Sequence, residues 1–325
     1  MRLVYWPRFP LAREQIIAGL TALPGVQLTV AESLDSFIAQ LPGADGLVLP
    51  DAPLPMARQI SAALHGLGGQ RWLHLISAGR EGFEAAGLPP GTVVSAAAGA
   101  NAATVAEHAM ALVLALGRQL PAAVRAQDTG RWDSSLSAQA RSVEGARLLI
   151  VGMGHIGRAL APRALAFGMT VEAVTRRPQP DPSLHAVHPL ERLRDRAADA
   201  DVLVVALALT PQTTRIIDAG VLEACRPHAL LVNVGRGGLV EQDALLAALT
   251  SGRLGGAALD VTDPEPLPEG HPLWRCPRLL LTPHFAGGGS RATAERIAAG
   301  VVENCRRRIN GEPLRDTVVL PTVSR

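Results

Sequence analysis

The sequence predicts an α/β protein with two doubly wound parallel-sheet domains. Three observations support this prediction. The length of 325 residues is long for one compact domain, short apolar runs alternate with amphipathic runs, and a second series of such runs begins at Arg147. A hydrophobic content of 48% with 18% charged residues indicates a chain that buries a large core.

The first series of elements occupies residues 1–98. Apolar runs typical of buried strands occur at residues 3–6, 26–30, 46–49, 72–77 and 92–95, and helical stretches start at Leu11 and lie near residues 56–64. This alternation of strand-like runs and helical stretches predicts βαβ units around a parallel sheet.

A long apolar segment separates the two series. Residues 101–120 are apolar almost throughout except for Glu107 and His108, with Asn101 as a candidate N-cap and Pro121 as a candidate terminator. The interior polar residues favour a buried helix over a membrane span.

The second series predicts six strands with helices between them. The strands lie at residues 148–152, 170–174, 201–207, 229–234, 257–261 and 279–283. This pattern is typical of a doubly wound sheet that binds a dinucleotide.

The composition excludes several kinds of chemistry. All 31 basic residues counted as Lys or Arg are Arg, so a Schiff base and a phosphate-binding Walker lysine are both impossible. The single tyrosine, Tyr5, lies at the N-terminus, which excludes a Tyr/Lys catalytic pair. Base composition of the genome is the simplest explanation for the missing lysine, but the exclusions hold in either case.

Charge and cysteine usage indicate the environment and the partners. The net charge of +2 favours neither nucleic acid nor a membrane surface, and the three cysteines match no metal-ligand spacing. The first residues lack the apolar run of a signal peptide. We therefore expect a cytoplasmic protein with no metal, no nucleic-acid partner and no membrane contact.

The clearest local motif is a glycine-rich turn between a predicted strand and a predicted helix. Gly152, Gly154 and Gly157 have the G-x-G-x-x-G spacing, and His155 and Ile156 lie between them. Such glycines permit a tight turn, close approach of a pyrophosphate and close helix–strand packing, with the helix N-terminus directed at the phosphates. The motif predicts a dinucleotide site.

The end of the second strand of this series predicts which dinucleotide is bound. NAD-binding folds usually place an acid there, about 20 residues after the glycines, to hold the ribose 2′-hydroxyl. Here Thr175 is followed by Arg176 and Arg177, while Glu172 points to the other side of the strand. Two guanidinium groups favour a 2′-phosphate, so we predict NADP, with NAD as the alternative if the arginines belong to an ordinary basic loop.

Three further polar residues each follow a predicted strand: Arg236, Glu265 and His284, with Asp260 five positions before Glu265. Ligands bind outside the carboxyl edge of such a sheet. Together an Arg, a carboxylate and a His can bind a carboxylate, polarise a carbonyl and exchange a proton. Taken singly, they could be a helix cap, a solvated loop residue and a turn histidine.

These segments together resemble the D-isomer-specific 2-hydroxyacid dehydrogenases, and most closely their glyoxylate/hydroxypyruvate reductase branch. The resemblance covers nearly the whole chain. The matching segments are SAGREGFE (77–84), VAEHAMALVLALGR (105–118), VGMGHIGRAL, LTPQTTRIID (209–218), NVGRGGLVEQDALLAAL, LDVTDPEPLPEGHPLW and TPHFAGG.

The resemblance implies a domain organisation. A flavodoxin-like substrate domain comprises residues 1–98 and 287–325, a Rossmann dinucleotide domain over residues 99–286 is inserted into it, and the active site lies in the cleft. A homodimer is also implied.

The resemblance further implies the roles of the site residues. His284 donates a proton to the keto oxygen, Glu265 orients that imidazole, and Arg236 binds the α-carboxylate and polarises the carbonyl. Backbone N–H groups near Ala78 and Gly79 hold the same carboxylate. The remaining implied cofactor contacts are Leu207, Val234, Gly235, Asp260, His284 and Ala286.

Two departures from the family pattern concern the substrate. Arg80 follows the matching Ala-Gly, where it could recognise a second anionic group or turn outward to solvent. Phe285 and Ala286 follow His284, where relatives often have Ile-Gly-Ser-Ala, so the pocket shape and the substrate size stay open.

We therefore predict an NADP-preferring reductase that converts short 2-oxo acids, such as glyoxylate or hydroxypyruvate, to D-2-hydroxy acids. Three alternatives stay open. They are an NAD-dependent D-2-hydroxyacid dehydrogenase of another substrate, a related enzyme that oxidises formate or phosphite, and a nucleotide-sensing binding protein like the corepressors that resemble these enzymes.

Overall fold

The computed structural model describes residues 1–67 and 71–323. It consists of two compact units. The first comprises Met1–Asn101 and Gly288–Arg325, and the second comprises Ala102–Gly287. Each unit is an α/β domain with its own sheet, as the sequence predicts.

The first unit contains a sheet with helices packed on it. Its strands are β1 (Arg2–Tyr5), β2 (Gln27–Val30), β3 (Gly46–Leu49), β4 (Trp72–Leu75), β5 (Val93–Ala96) and β13 (Thr317–Val318). Its helices are α1 (Arg13–Thr21), α2 (Leu34–Gln40), α3 (Leu54–His65), α4 (Glu81–Ala86) and α12 (Arg291–Ile309). The strand order is β13-β5-β4-β3-β1-β2, and every pairing is parallel except the β13–β5 pair.

The second unit contains a fully parallel sheet. Its strands are β6 (Arg147–Val151), β7 (Thr170–Thr175), β8 (Ala186–Pro189), β9 (Val202–Val205), β10 (Leu230–Asn233), β11 (Gly256–Leu259) and β12 (Leu279–Leu281). Its helices are α5 (Ala102–Gly117), α6 (Leu120–Asp128), α7 (Leu136–Gln139), α8 (His155–Ala166), α9 (Leu193–Ala197), α10 (Ala219–Ala224) and α11 (Gln242–Thr250). The strand order is β12-β11-β10-β9-β6-β7-β8.

Both faces of this second sheet are buried. Leu148 and Ile150 of β6 belong to the core beneath α5 and α8, whereas Leu149 and Val151 belong to the core beneath α10 and α11. Because successive side chains point to opposite faces, a strand covered on both sides is apolar at every position. This explains why the strands are continuous apolar runs in the sequence.

The order of the strands determines where a ligand can bind. The chain order reverses between β9 and β6, and the glycine-rich turn follows β6 at this point. The crevice at such a reversal, outside the carboxyl ends of the strands, is the usual binding place in open α/β sheets.

Pro121 does not terminate the long apolar helix, which corrects the expectation from the sequence. Helix α5 ends at Gly117, Gln119 has a left-handed φ of 57°, and Pro121 lies in the first turn of α6. Proline is well tolerated there because the first N–H groups of a helix have no partner within it. The two helices meet at a bend of 65°.

No single helix among residues 1–67 and 71–323 is both long enough and apolar enough to cross a bilayer. Only α5 and α6 taken together meet that criterion, across their bend.

Candidate active site

The glycine-rich turn has the geometry that its spacing predicts. Gly152 has a φ of 113°, and a Cβ atom at Gly157 would lie 2.2 Å from the carbonyl oxygen of Gly152. Both positions therefore require glycine. Gly154 differs, because a Cβ atom there would meet no atom within 4 Å. This open space and the helix that starts at His155 suit a pyrophosphate, so the turn fits a dinucleotide.

The position that would contact an adenosine ribose is basic. Thr175 ends β7, and Arg176 and Arg177 follow it as exposed residues. The nearest acid, Glu172, contacts His188 of β8 with an oxygen–nitrogen distance of 3.1 Å. Glu172 is thus engaged within the sheet, whereas the two guanidinium groups extend into solvent.

Arg236 lies in a loop that is shaped by a buried side chain. Asn233, at the end of β10, is fully buried; its amide nitrogen donates to the carbonyl oxygen of Arg236 at 2.8 Å, and its amide oxygen accepts from the N–H of Gly235 at 3.0 Å. Nη1 of Arg236 donates to the carbonyl oxygen of Gly235 at 2.7 Å. The Arg236 loop also packs closely against the loop that follows β11, because a Cβ atom at Gly237 would lie 2.0 Å from Thr262.

His284 and Glu265 form a direct pair. The distance between Nδ1 of His284 and Oε2 of Glu265 is 2.8 Å, and Oε1 of Glu265 accepts from the N–H of Thr262 at 3.0 Å. Since a carboxylate only accepts, Nδ1 carries the proton of this bond. The other nitrogen, Nε2, is therefore the atom through which His284 can give or take a proton.

The pair shifts the pKa values of both groups. The hydrogen bond from Glu265 raises the pKa of His284 above its ordinary value, against the lowering effects of burial and of the Arg236 charge. Burial by itself would raise the pKa of Glu265, but the bond and charge of His284, with smaller effects of Thr262 and Arg236, lower it. The imidazolium–carboxylate form is favoured, which suits an acid that works near neutral pH.

Asp260 holds the turn that carries His284. Its carboxylate is 2% exposed; Oδ1 accepts from the hydroxyl of Thr282 at 2.6 Å and from the N–H of Phe285 at 3.2 Å, and Oδ2 accepts from the N–H of Ala286 at 3.1 Å. These bonds occupy the side of the carboxylate that faces the turn. The predicted contact of Asp260 with a nicotinamide stays a prediction.

Other predicted cofactor residues border the same edge. Val234 and Gly235 follow β10 and are buried, and a Cβ atom at Gly235 would lie 2.9 Å from the carbonyl oxygen of Leu207. Leu207 follows β9. The second unit thus brings the glycine turn, Arg236, Glu265 and His284 to the carboxyl edge of one sheet.

The predicted substrate residues Ala78, Gly79 and Arg80 belong to the first unit. The Ser77 hydroxyl donates to the carbonyl oxygen of Gly79 at 2.9 Å, and Nε of Arg80 pairs with Glu84 at 2.6 Å. The guanidinium of Arg80 is therefore held along α4. Its two predicted roles, toward an anion or toward solvent, both stay open.

Reasoning from the sequence missed three residues that shape the site: Asn233, Thr282 and His108. His108 Nε2 lies 3.1 Å from the Thr282 hydroxyl. A histidine in an otherwise apolar helix was the one available signal for His108. For Asn233 and Thr282, the sequence shows only a polar residue at the end of an apolar run.

Comparison with known proteins places the second unit in one family. Residues 110–286 match the family described as D-isomer specific 2-hydroxyacid dehydrogenase, NAD binding domain. The chain is 38% identical over 216 residues to a glyoxylate/hydroxypyruvate reductase A of Arabidopsis thaliana, covering 66% of this chain and 67% of the relative.

Two further comparisons cover more of the chain. It is 33% identical over 288 residues to a D-3-phosphoglycerate dehydrogenase of Mycobacterium bovis, covering 87% of this chain but 53% of the relative, so it spans about half of that protein's length. A solved D-isomer specific 2-hydroxyacid dehydrogenase of Xanthobacter autotrophicus Py2, in complex with NADPH and MES, is 29% identical with a TM-score of 0.82 over 98% of each chain.

Proposed function

The chain belongs to the D-isomer-specific 2-hydroxyacid dehydrogenase family, and we propose that it reduces short 2-oxo acids to D-2-hydroxy acids with NADPH. The observation that carries this proposal is the 2.8 Å contact between His284 Nδ1 and Glu265 Oε2, at the sheet edge that also carries Arg236. Glyoxylate and hydroxypyruvate are the substrates we propose first, because the Arabidopsis relative carries their names.

The proposed roles follow from the chemistry of each side chain. Arg236 binds the substrate carboxylate and draws electron density from the carbonyl, because a guanidinium is planar and permanently charged. His284 gives the Nε2 proton to the carbonyl oxygen as that oxygen becomes negative. Glu265 keeps the imidazole oriented and protonated beforehand. A reduced dinucleotide held with its pyrophosphate at the glycine turn would supply the hydride.

The preference for NADP is proposed on the residues that follow β7. Arg176 and Arg177 are exposed where a 2′-phosphate would lie, and Glu172 is paired with His188. The Xanthobacter relative with NADPH supports the same choice. NAD is the alternative cofactor.

The domain roles and the assembly are likewise proposals. We propose that residues 99–286 form the dinucleotide domain and that residues 1–98 with 287–325 form the substrate domain, in which Ala78, Gly79 and Arg80 contact the substrate. A homodimer is supported by apolar side chains exposed on the second unit: Leu120 and Val124 on α6, and Trp132, which is 96% exposed. Light scattering after gel filtration tests the dimer. A cytoplasmic location stays a prediction from the sequence.

A second substrate class has one observation in its favour. The match to D-3-phosphoglycerate dehydrogenase extends over 288 residues, whereas the match to the Arabidopsis reductase extends over 216 residues. A phosphorylated 2-hydroxy acid therefore belongs among the substrates tested.

The test is a steady-state panel of 2-oxo acids with NADPH and with NADH. It includes glyoxylate, hydroxypyruvate and pyruvate, together with oxidation of D-3-phosphoglycerate by NADP⁺ and by NAD⁺. We expect oxidation of NADPH with glyoxylate or hydroxypyruvate and a D-configured product from hydroxypyruvate, because the product of glyoxylate has no stereocentre. No turnover with either cofactor across the panel would contradict the activity, whereas a preference for NADH would contradict only the role of Arg176 and Arg177.

A further inference from the structure

His108 of α5 has contacts that no predicted role explains. Its side chain is 15% exposed, and its Nε2 lies 3.1 Å from Oγ1 of Thr282 and 3.5 Å from Oδ1 of Asp260. Its ring meets the ring of Phe285 edge-on, with 5.0 Å between the centroids. The imidazole of His108, on a helix that is far from this turn in the sequence, thus contacts residues that precede and follow His284 in the chain.

The direction of these hydrogen bonds can be assigned. The Thr282 hydroxyl has one proton and lies 2.6 Å from Oδ1 of Asp260, which as a carboxylate only accepts. Thr282 therefore donates to Asp260, and its oxygen is left to accept from His108. Nε2 of His108 must carry a proton, so the polar chain runs from His108 through Thr282 to Asp260.

The turn at the end of this chain needs support. His284 has a φ of 51°, a left-handed conformation that is uncommon for residues with a side chain. The turn is held by Asp260, whose carbonyl oxygen accepts from the N–H of His284 at 2.8 Å and whose carboxylate accepts from the N–H groups of Phe285 and Ala286. A shift of Asp260 or Phe285 therefore moves His284 relative to Glu265.

We propose that His108 is a positioning residue, which holds the 282–286 turn through its hydrogen bond to Thr282, and through Thr282 to Asp260, so that His284 stays aligned on Glu265. This inference rests on the proposed function for its kinetic consequence, but the alignment itself is a property of the second unit. His108 acts through other residues and has no proposed contact with the substrate.

The alignment can be measured at His284 itself. The charged groups whose effects His284 feels are Glu265, Arg236 and Asp260. The hydrogen bond to Glu265 has the largest effect and raises the pKa of His284, so a misaligned turn lowers that pKa. NMR titration of the histidine ring, assigned by comparison with His284→Gln, reports this without any turnover.

Two variants of His108 separate its hydrogen bond to Thr282 from its packing against Phe285. His108→Phe keeps a ring against Phe285 but removes the donor to Thr282, whereas His108→Gln keeps an N–H donor. His228→Phe is the matched control, because His228 Nε2 also contacts an aspartate, Asp201 Oδ1 at 2.9 Å, at the amino end of the sheet. If His108→Phe does not fold, Thr282→Val compared with Thr282→Ser gives the same contrast.

We expect a lower His284 pKa in His108→Phe, a wild-type value in His108→Gln and no change in His228→Phe. In turnover, kcat falls about 10- to 100-fold in His108→Phe, the range that a misplacement of about 1 Å can produce, while His228→Phe keeps the wild-type kcat.

A folded His108→Phe protein with the wild-type His284 titration would overturn the proposal, as would a His108→Gln variant that is as impaired as His108→Phe. If the wild-type protein turns over none of the 2-oxo acids, the proposed function fails, while the titrations still decide the role of His108.

Discussion

Oε2 of Glu265 lies 2.8 Å from Nδ1 of His284, and the two residues are 19 positions apart in the chain. The contact engages Nδ1, leaves Nε2 outside this hydrogen bond and raises the pKa of the imidazole. The contact therefore favours an imidazolium that is oriented and charged in the absence of any ligand.

Replacing His284 tests the proton donor directly. In His284→Gln we expect kcat to fall by about 10²- to 10⁴-fold, because a positioned general acid contributes that much, while NADPH binding measured by fluorescence is retained. His185→Gln, at a histidine that is 66% exposed, is the control and should behave as wild type. Unchanged turnover in His284→Gln would exclude His284 as the acid.

Replacing Glu265 changes the pH dependence. The bond to Glu265 raises the pKa of His284, so the imidazolium persists to higher pH in the wild type. In Glu265→Gln the pKa of His284 falls. As the pH is raised, the variant therefore loses kcat/KM for reduction at a lower pH than the wild type does. The measurement is the pH profile of reduction for both proteins; coincident midpoints would show that Glu265 does not control the proton on His284.

Asn233 is expected to control substrate binding through Arg236. Asn233→Ala removes both amide bonds to the 235–236 loop, so KM for the 2-oxo acid should rise. A buried hydrogen-bond pair is also lost, which costs about 1–3 kcal/mol of unfolding free energy.

Asn304→Ala is the control for that loss of stability. Asn304 is another buried amide, and it donates to the carbonyl oxygen of Arg315 and accepts from its N–H in the first unit. An equal rise in KM in both variants would mean that Asn233 affects only stability.

Alanine substitutions at two glycines of the turn are expected to affect different properties, stability in one case and NADPH affinity in the other. Gly157→Ala places a methyl group 2.2 Å from the Gly152 carbonyl oxygen and should destabilise the protein by about 1–3 kcal/mol, measured by denaturant unfolding. Gly154→Ala meets no atom within 4 Å and has a φ of −80°, so it should fold normally and lose only NADPH affinity. Retained NADPH affinity in Gly154→Ala would place the pyrophosphate elsewhere.

Removing the arginines after β7 tests the cofactor preference. A charge-assisted hydrogen bond contributes about 1.5–3 kcal/mol, so Arg176→Ala and Arg177→Ala should each lower kcat/KM for NADPH about tenfold or more without changing the value for NADH. Arg192→Ala removes an exposed arginine that pairs with Asp195 and serves as the control. Equal losses with both cofactors would show that these arginines do not read the 2′-phosphate.

Much of the fold follows from local patterns. The predicted strands of both sheets are present, because strands buried on both faces are continuous apolar runs. Two strands were missed: β8 contains His188 and ends in Pro189, and β13 has two residues. Both lie at sheet edges, where neighbouring strands rather than the strand's own residues decide the pairing.

The glycine turn and the strand-end residues could be predicted because their requirements are local. A positive φ at Gly152 and a strand–turn–helix sequence are short-range properties, and parallel strands bring their carboxyl ends to one edge. By contrast, the expected helix end at Pro121 was wrong, because a proline is compatible both with stopping one helix and with starting the next.

Composition, motifs and periodicity were enough to predict the fold class, the glycine turn that suits a dinucleotide, the exclusion of lysine chemistry and the polar residues at the sheet edge. The contacts between these residues became visible in the folded chain: His284 with Glu265, Asn233 with the Arg236 loop, and His108 with Thr282 across a separation of 174 positions. The physical reason is the range of the interactions. Propensity and periodicity act over a few residues, whereas a hydrogen bond between distant segments depends on the packing of every element that separates them.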